Sequence, residues 1–237
     1  MDLFGSHEAF DRWFDETLGS PTEVQRAAWP AIRTGGHALV TAATGQGKTL
    51  AAWRPLVERI CEHSRGPQRV RAIHVAPLKA LARDITHNLQ PLLDRAGEVV
   101  GRPVTIALRC GDSSAADRAR HKRRPPHILS TTPESLFVLL GSAGGRRLLR
   151  GVEAVVVDEL HALIGCKRGA HLALTLARLD RLVGSPVQRI GLSATAHPGR
   201  RLADFLTGGA ACEIIAPGGV GPVDLRVELP EMRLGPF

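Results

Sequence analysis

Short apolar, β-branched runs alternate with amphipathic stretches along most of the chain. The apolar runs predict strands over 38–43, 69–76, 104–109, 128–131, 152–157, 187–192 and 212–215. Between them, apolar positions three and four residues apart predict helices over 48–61, 78–95, 114–123, 134–140, 170–183 and 199–206. The run that ends Ala154-Val155-Val156-Val157 is apolar on both alternating sets of positions, as a central strand covered on both faces requires. Residues 1–35 read as helical and precede the first strand. This alternation specifies an α/β protein, a three-layer α/β/α sandwich around a mostly parallel sheet. The segment 216–222, Ala-Pro-Gly-Gly-Val-Gly-Pro, reads as a linker, and 223–229 as a strand with no partner in the chain. The expected organisation is an N-terminal helical segment over 1–35, the main lobe over 36–215 and a linker over 216–237.

Composition narrows the class. At 237 residues and 43% hydrophobic, the chain has length and apolar content for a full core without disulfide or metal staples. No apolar stretch approaches the ~18–20 residues of a membrane span, and no basic-then-apolar signal opens the chain. A cytoplasmic, non-membrane protein is expected. Cys61, Cys110, Cys166 and Cys212 are widely spaced, with no Cys-x-x-Cys pair, so neither a zinc site nor a disulfide framework is expected. The net charge of +8 favours a polyanionic partner, nucleic acid in the simplest case. Only four of the 31 basic residues are Lys, so biased genome composition is an alternative source of that charge. Aromatic residues are 4% with no Tyr, which argues against base-stacking platforms.

Two segments carry chemistry. Ala42-Ala43-Thr44-Gly45-Gln46-Gly47-Lys48-Thr49 sits between a predicted strand and a predicted helix. Gly45 and Gly47 let backbone N–H groups of the loop (Thr44, Gly45, Gln46, Gly47) wrap a phosphate at a helix N-terminus. Lys48 then reaches the β- and γ-phosphates, and the Thr49 hydroxyl can ligate Mg²⁺. The first Gly of the strict phosphate-loop pattern is Ala42 here. The second segment is Val157-Asp158-Glu159-Leu160-His161, at the carboxyl end of the most apolar strand, where open parallel sheets bind ligands. Asp158 would hold Mg²⁺ and Glu159 would polarise the attacking water. Neither segment needs the other for folding; ATP hydrolysis needs both.

In order along the chain, Pro21-Thr22-Glu23-Val24-Gln25, Ala42 to Thr49, Pro77-Leu78-Lys79-Ala80-Leu81, Thr131-Thr132-Pro133-Glu134-Ser135, Asp158-Glu159-Leu160-His161 and Ser193-Ala194-Thr195 resemble the motif set of a superfamily 2 helicase. The resemblance implies the first RecA-like lobe, a P-loop NTPase fold, with the second segment in its DExH form. Arg109-Cys110-Gly111-Asp112-Ser113, Pro125-Pro126-His127-Ile128-Leu129 and Lys167-Arg168-Gly169-Ala170-His171-Leu172 resemble the Lhr (large helicase-related) family. Cys110, Cys166 and Gln46 depart from its usual residues.

The resemblance implies an ATP- and Mg²⁺-dependent 3′-to-5′ DNA helicase or translocase, acting in DNA repair or recombination on single-stranded DNA or a tailed duplex. It makes Gln25 the reader of the adenine edge, for which an amide offers a donor and an acceptor side by side. His161 is implied in catalysis, and Ser193 and Thr195 in coupling ATP to the strand. Pro77, Lys79, Thr131, Thr132, Pro133, Glu134, Lys167 and Arg168 are implied at the nucleic-acid face. Lys79, Thr132 and Glu134 fall at helix starts, where N–H groups and hydroxyls meet phosphates without reading sequence. The basic run 118–124 is equally well a solvated helix face. His37, His74 and His127 read as edge or core histidines. A second lobe carrying an arginine finger is expected to be missing. Two other readings remain open: an RNA-remodelling DExH/DEAD-box lobe, and a non-catalytic nucleic-acid-binding remnant of a truncated gene.

Overall fold

The computed structural model describes residues 3–63, 66–195 and 199–217. The strand expected over 223–229, and all but the first two residues of the expected linker, lie outside these. The elements run α1 (Leu3–Leu18), α2 (Glu23–Arg33), β1 (His37–Thr41), α3 (Lys48–Glu62), β2 (Ala72–Val75), α4 (Lys79–Asn88), α5 (Gln90–Val100), β3 (Ile106–Arg109), α6 (Ala115–Arg123), β4 (Ile128–Thr131), α7 (Pro133–Gly141), α8 (Ala143–Leu149), β5 (Ala154–Val157), a 3₁₀ turn (Leu160–Ala162), α9 (Lys167–Val183), β6 (Gln188–Ser193), α10 (Gly199–Thr207) and β7 (Cys212–Ile215).

The seven strands form one sheet in the order β3-β4-β2-β5-β6-β1-β7, and every pairing is parallel. β5 stands in the middle, as its unbroken apolar run requires. Alternate residues feed two cores. Ala38, Val40, Val156 and Ile190 face a core with α2, α3 and α5, while Leu39, Val155 and Val157 face one with α7, α9 and α10. Parallel pairing sends every carboxyl end to one edge, so the loops after β1, β2, β4, β5 and β6 converge there.

Three expectations shift. The helix expected over 78–95 is two helices, because Pro91, in the first turn of α5, has no N–H to donate to the His87 carbonyl four residues back and its ring crowds that carbonyl. Helix α8 was not expected, since its Ala-Gly-Gly opening has poor propensity. Ser142 caps it by accepting the Gly145 N–H at 3.0 Å, and Gly145 lies so near the Leu139 carbonyl that a Cβ would approach to 2.0 Å. Helix α9 starts at Lys167 rather than 170, which puts Lys167 and Arg168 in its first turn.

The N-terminal helices share the first core through Phe10, Val24, Ala28 and Ile32. Arg54 of α3, 1% exposed, lies 4.1 Å over the Trp29 ring and 5.2 Å over Phe14. Its guanidinium pairs with Asp11 of α1 and with Glu58, and Glu58 also pairs with Arg33 of α2. Buried charge is tolerated only when compensated in this way.

Candidate active site

The loop after β1 turns sharply because two of its residues occupy the left-handed region, Gly45 at φ +84° and Gly47 at φ +82°. Such backbone costs a side-chain-bearing residue about 1–2 kcal/mol. The N-terminus of α3 has no side-chain cap, so its first N–H groups are open to an anion. Lys48 folds over the loop, donating to the Ala42 carbonyl at 2.7 Å and the Ala43 carbonyl at 2.9 Å. Burial draws its ammonium below the ordinary lysine value, against the opposing fields of Glu159 and Asp158. Thr44, Gly45 and Gln46 are exposed; Gly47 and Thr49 are half-buried.

The segment before α2 is tied to this loop. Thr22 caps α2 in a reciprocal pair with Gln25, and its hydroxyl donates to the Gln46 carbonyl at 3.1 Å. Gln25 is buried; its Oε1 accepts the Thr22 N–H at 2.9 Å and its Nε2 donates to the Gly47 carbonyl at 3.2 Å. Gln25 therefore braces the phosphate loop as well as lying in the segment expected to read a base.

Across the edge, Asp158 follows β5. Its Oδ1 accepts the Glu159 N–H at 2.9 Å, and its own N–H donates to the Val75 carbonyl. Burial pushes the Asp158 carboxyl up, but His74, the Glu159 N–H and Lys48 outweigh it and hold it below its usual value. Glu159 has φ +46° and is the one non-glycine residue in the left-handed region among the described residues. Strain of that order persists where the surroundings impose it, commonly at functional sites. A side-chain chain continues from it: Glu159 Oε2 to His161 Nε2 at 3.3 Å, His161 Nδ1 to Ser193 Oγ at 3.2 Å, and the Ser193 hydroxyl to the Thr195 carbonyl at 3.0 Å. The Ser193 carbonyl also accepts the Ala42 N–H at 3.2 Å. His161, Ser193 and Thr195 are thus linked side by side between the acidic pair and the phosphate loop.

The residues expected at the nucleic-acid face occupy the neighbouring loops, with unequal exposure. Lys79, the first residue of α4, is exposed and lies 2.6 Å from Asp112. Lys167 is exposed. Arg168 is engaged: its Nε and Nη2 reach both Glu134 oxygens at 2.6 and 3.2 Å, and Nη2 donates to the Pro77 carbonyl at 2.8 Å. Pro77, Thr131, Thr132 and Pro133 are buried. Thr131 donates inward to the Arg109 carbonyl at 2.6 Å, and Thr132 caps α7. What these four can offer a strand is backbone.

Sequence reasoning passed over three residues near the site. His74, fully buried on β2, faces Asp158 with Nε2 3.5 Å from Oδ2. Ser130 on β4 binds His74, and Asp112 masks Lys79. The positions of His74 and Ser130 near the carboxyl ends of neighbouring strands were the available signal. His37, as expected, is structural: its Nδ1 accepts the Arg189 N–H.

A glycine loop opening a helix, opposite an acidic pair at the carboxyl edge of a seven-stranded parallel sheet, defines a RecA-like P-loop nucleotide-binding lobe. Residues 22–204 match the family model described as DEAD/DEAH box helicase, and the chain belongs to that family. The chain is similar to the Lhr helicase/probable uracil glycosylase of Mycolicibacterium smegmatis, at 45% identity over 97% of this chain and 16% of that protein. It is 42% identical to the ATP-dependent helicase Lhr-Core of Methanothermobacter thermautotrophicus, over 85% of this chain and 24% of that one. The solved structure of Mycobacterium smegmatis helicase Lhr bound to ssDNA and AMP-PNP superposes with a TM-score of 0.82 at 44% identity, covering 89% of this chain and 27% of that chain. The chain thus spans a quarter or less of these curated relatives.

Proposed function

We propose that this chain is the ATP-binding lobe of an Lhr-type, ATP-dependent 3′-to-5′ DNA helicase or translocase that works together with a second RecA-like lobe. The observation that carries the reading is the continuous contact from Glu159 through His161 and Ser193 to Thr195, with Lys48 on the facing loop. That arrangement lets one set of residues sense a γ-phosphate and report it along the strand-end loops. Similarity to a helicase solved with single-stranded DNA and AMP-PNP supports ATP and DNA as the ligands. The low coverage of the relatives supports a partner lobe.

Lys48 leaves the Ala42 and Ala43 carbonyls and moves onto the phosphates. Gln25 holds the loop and presents the rest of its amide to the base. Glu159 takes the proton of the attacking water, and His161 fixes the Glu159 carboxylate. The Thr49 hydroxyl and the ionised Asp158 would hold Mg²⁺. Among the described residues no three His, Cys, Asp or Glu side chains cluster as metal ligands. Two protein ligands suit an ion that also keeps waters and phosphate oxygens. Bound there, Mg²⁺ supplies charge neutralisation at the β- and γ-oxygens.

Calorimetry with Mg·ATP tests the reading: wild type binds and Lys48→Ala does not. Equal affinities would remove the assignment. Residues 1–237 alone should release phosphate slowly. A second lobe joined in cis should raise the rate by ~10³–10⁵, the usual worth of an arginine finger, and Glu159→Gln should abolish the gain.

A further inference from the structure

A fully buried imidazole lies between the acidic pair and the helix that begins at Lys79. His74 is 0% exposed on β2, and Ser130, beside it in register on β4, is also 0% exposed. The Ser130 hydroxyl donates to the Ala82 carbonyl of α4 at 2.6 Å, and His74 Nδ1 lies 3.0 Å from the same oxygen. Those two contacts fix the ring's orientation, and Nε2 points at Asp158 Oδ2, 3.5 Å away. Nε2 makes no hydrogen bond in this structure.

A histidine kept only to fill the core would pair both nitrogens, because an unpaired buried nitrogen costs about 1–3 kcal/mol. The other residues of β2, Ala72, Ile73 and Val75, are all apolar, so an apolar residue would suit the packing at 74. The free nitrogen faces the carboxylate whose other oxygen is already held by the Glu159 N–H. The ring is the wall that sets how far Oδ2 can turn.

The geometry points to His74 as a positioning residue for Asp158, joined through Ser130 to α4, so that a strand held at Lys79 biases the orientation of the Asp158 carboxylate. The Ser130 hydroxyl ties the ring to the Ala82 carbonyl of α4, so a displacement of α4 is passed to the imidazole and from it to the Asp158 carboxylate. This inference rests on the function proposed above.

The test is a thermodynamic coupling measurement on residues 1–237. Affinity for a fluorescent ATP analogue with Mg²⁺ is measured with and without saturating oligo(dT), and again in EDTA. Wild type should show coupling of at least about fivefold. His74→Phe, which keeps a ring and removes both nitrogens, should bring the coupling near one and raise the Mg²⁺ concentration needed for binding. Affinity in EDTA should stay the same. Ser130→Ala should lose the coupling, and Ser130→Thr, which keeps the hydroxyl, should retain it. The Ser130 pair gives the readout if His74→Phe melts early. Coupling that persists in folded His74→Phe or Ser130→Ala overturns the inference, as does a wild type that binds both ligands without coupling. A wild type that fails to bind Mg·ATP overturns the proposed function and this inference with it.

Discussion

Gln25 Nε2 occupies the space that a side chain at Gly47 would need: a Cβ there would lie 2.4 Å from it. Together with φ +82° at Gly47, this makes the glycine obligatory for two separate reasons.

Gly47→Ala should therefore lower the melting temperature by a few degrees, from about 1–2 kcal/mol of backbone strain, and weaken ATP binding at least about tenfold. Adding Gln25→Ala relieves the clash but not the strain. The double variant should lose less affinity than the two single losses combined. Isothermal titration of the four proteins checks this, and strict additivity would contradict it.

Lys79 and Asp112 are both exposed, so their pair adds little to stability. Its effect should appear in strand binding. Lys79→Ala should reduce the salt slope of single-strand affinity by about 0.7, one phosphate contact. Asp112→Asn should strengthen binding by freeing the ammonium and removing a negative charge. Anisotropy titrations over a salt series measure both.

Arg168 can serve the strand directly or by bracing the loop at Pro77. The contacts with Glu134 and the Pro77 carbonyl favour bracing. Arg168→Ala and Glu134→Gln should then weaken strand binding by similar factors. If Arg168 were a direct phosphate contact, Glu134→Gln would release it and tighten binding instead.

His127 ties β3 to β4 by accepting the Thr105 N–H at 3.1 Å. Burial, with Arg102 and Arg71 nearby, pushes its pKa down to about 4 from 6.5. The unfolded chain binds the proton more readily, so stability is complete above about pH 6.5 and falls as the pH drops toward 4. Between pH 7 and 5 the loss should be about 2 kcal/mol. His127→Asn keeps an acceptor and should flatten that part of the urea-midpoint profile; an unchanged slope would exclude His127 as its source.

Much of this was legible because parallel strands buried on both faces must read as apolar runs, and all seven are present with ends shifted by three residues or fewer. The phosphate loop and acidic pair were legible because few residue types can do that chemistry at those positions. Other features depend on partners distant in sequence. Nothing near His74 announces that it faces Asp158, 84 residues on; only the register of β2 beside β5 brings them together. Arg168, implied at the nucleic-acid face, is held by Glu134 and the Pro77 carbonyl, 34 and 91 residues away, which no local pattern announces. Helix α8 depends on one close backbone approach at Gly145, which no propensity records.

The docking of α1 bears on where this protein can be cut. A recombinant piece trimmed to the motif-matched span, 22–204, would keep every residue of the ATP site and shed Asp11, Phe14 and the edge strand β7. Arg54 would lose its lid and one of its two counterions. Arg33 and Arg54 would then compete for the single carboxylate of Glu58 in a pocket open to water. Such a truncation would be expected to give an unstable, aggregation-prone product, so a domain swap or expression vector should start upstream of α1 rather than at the first recognisable motif.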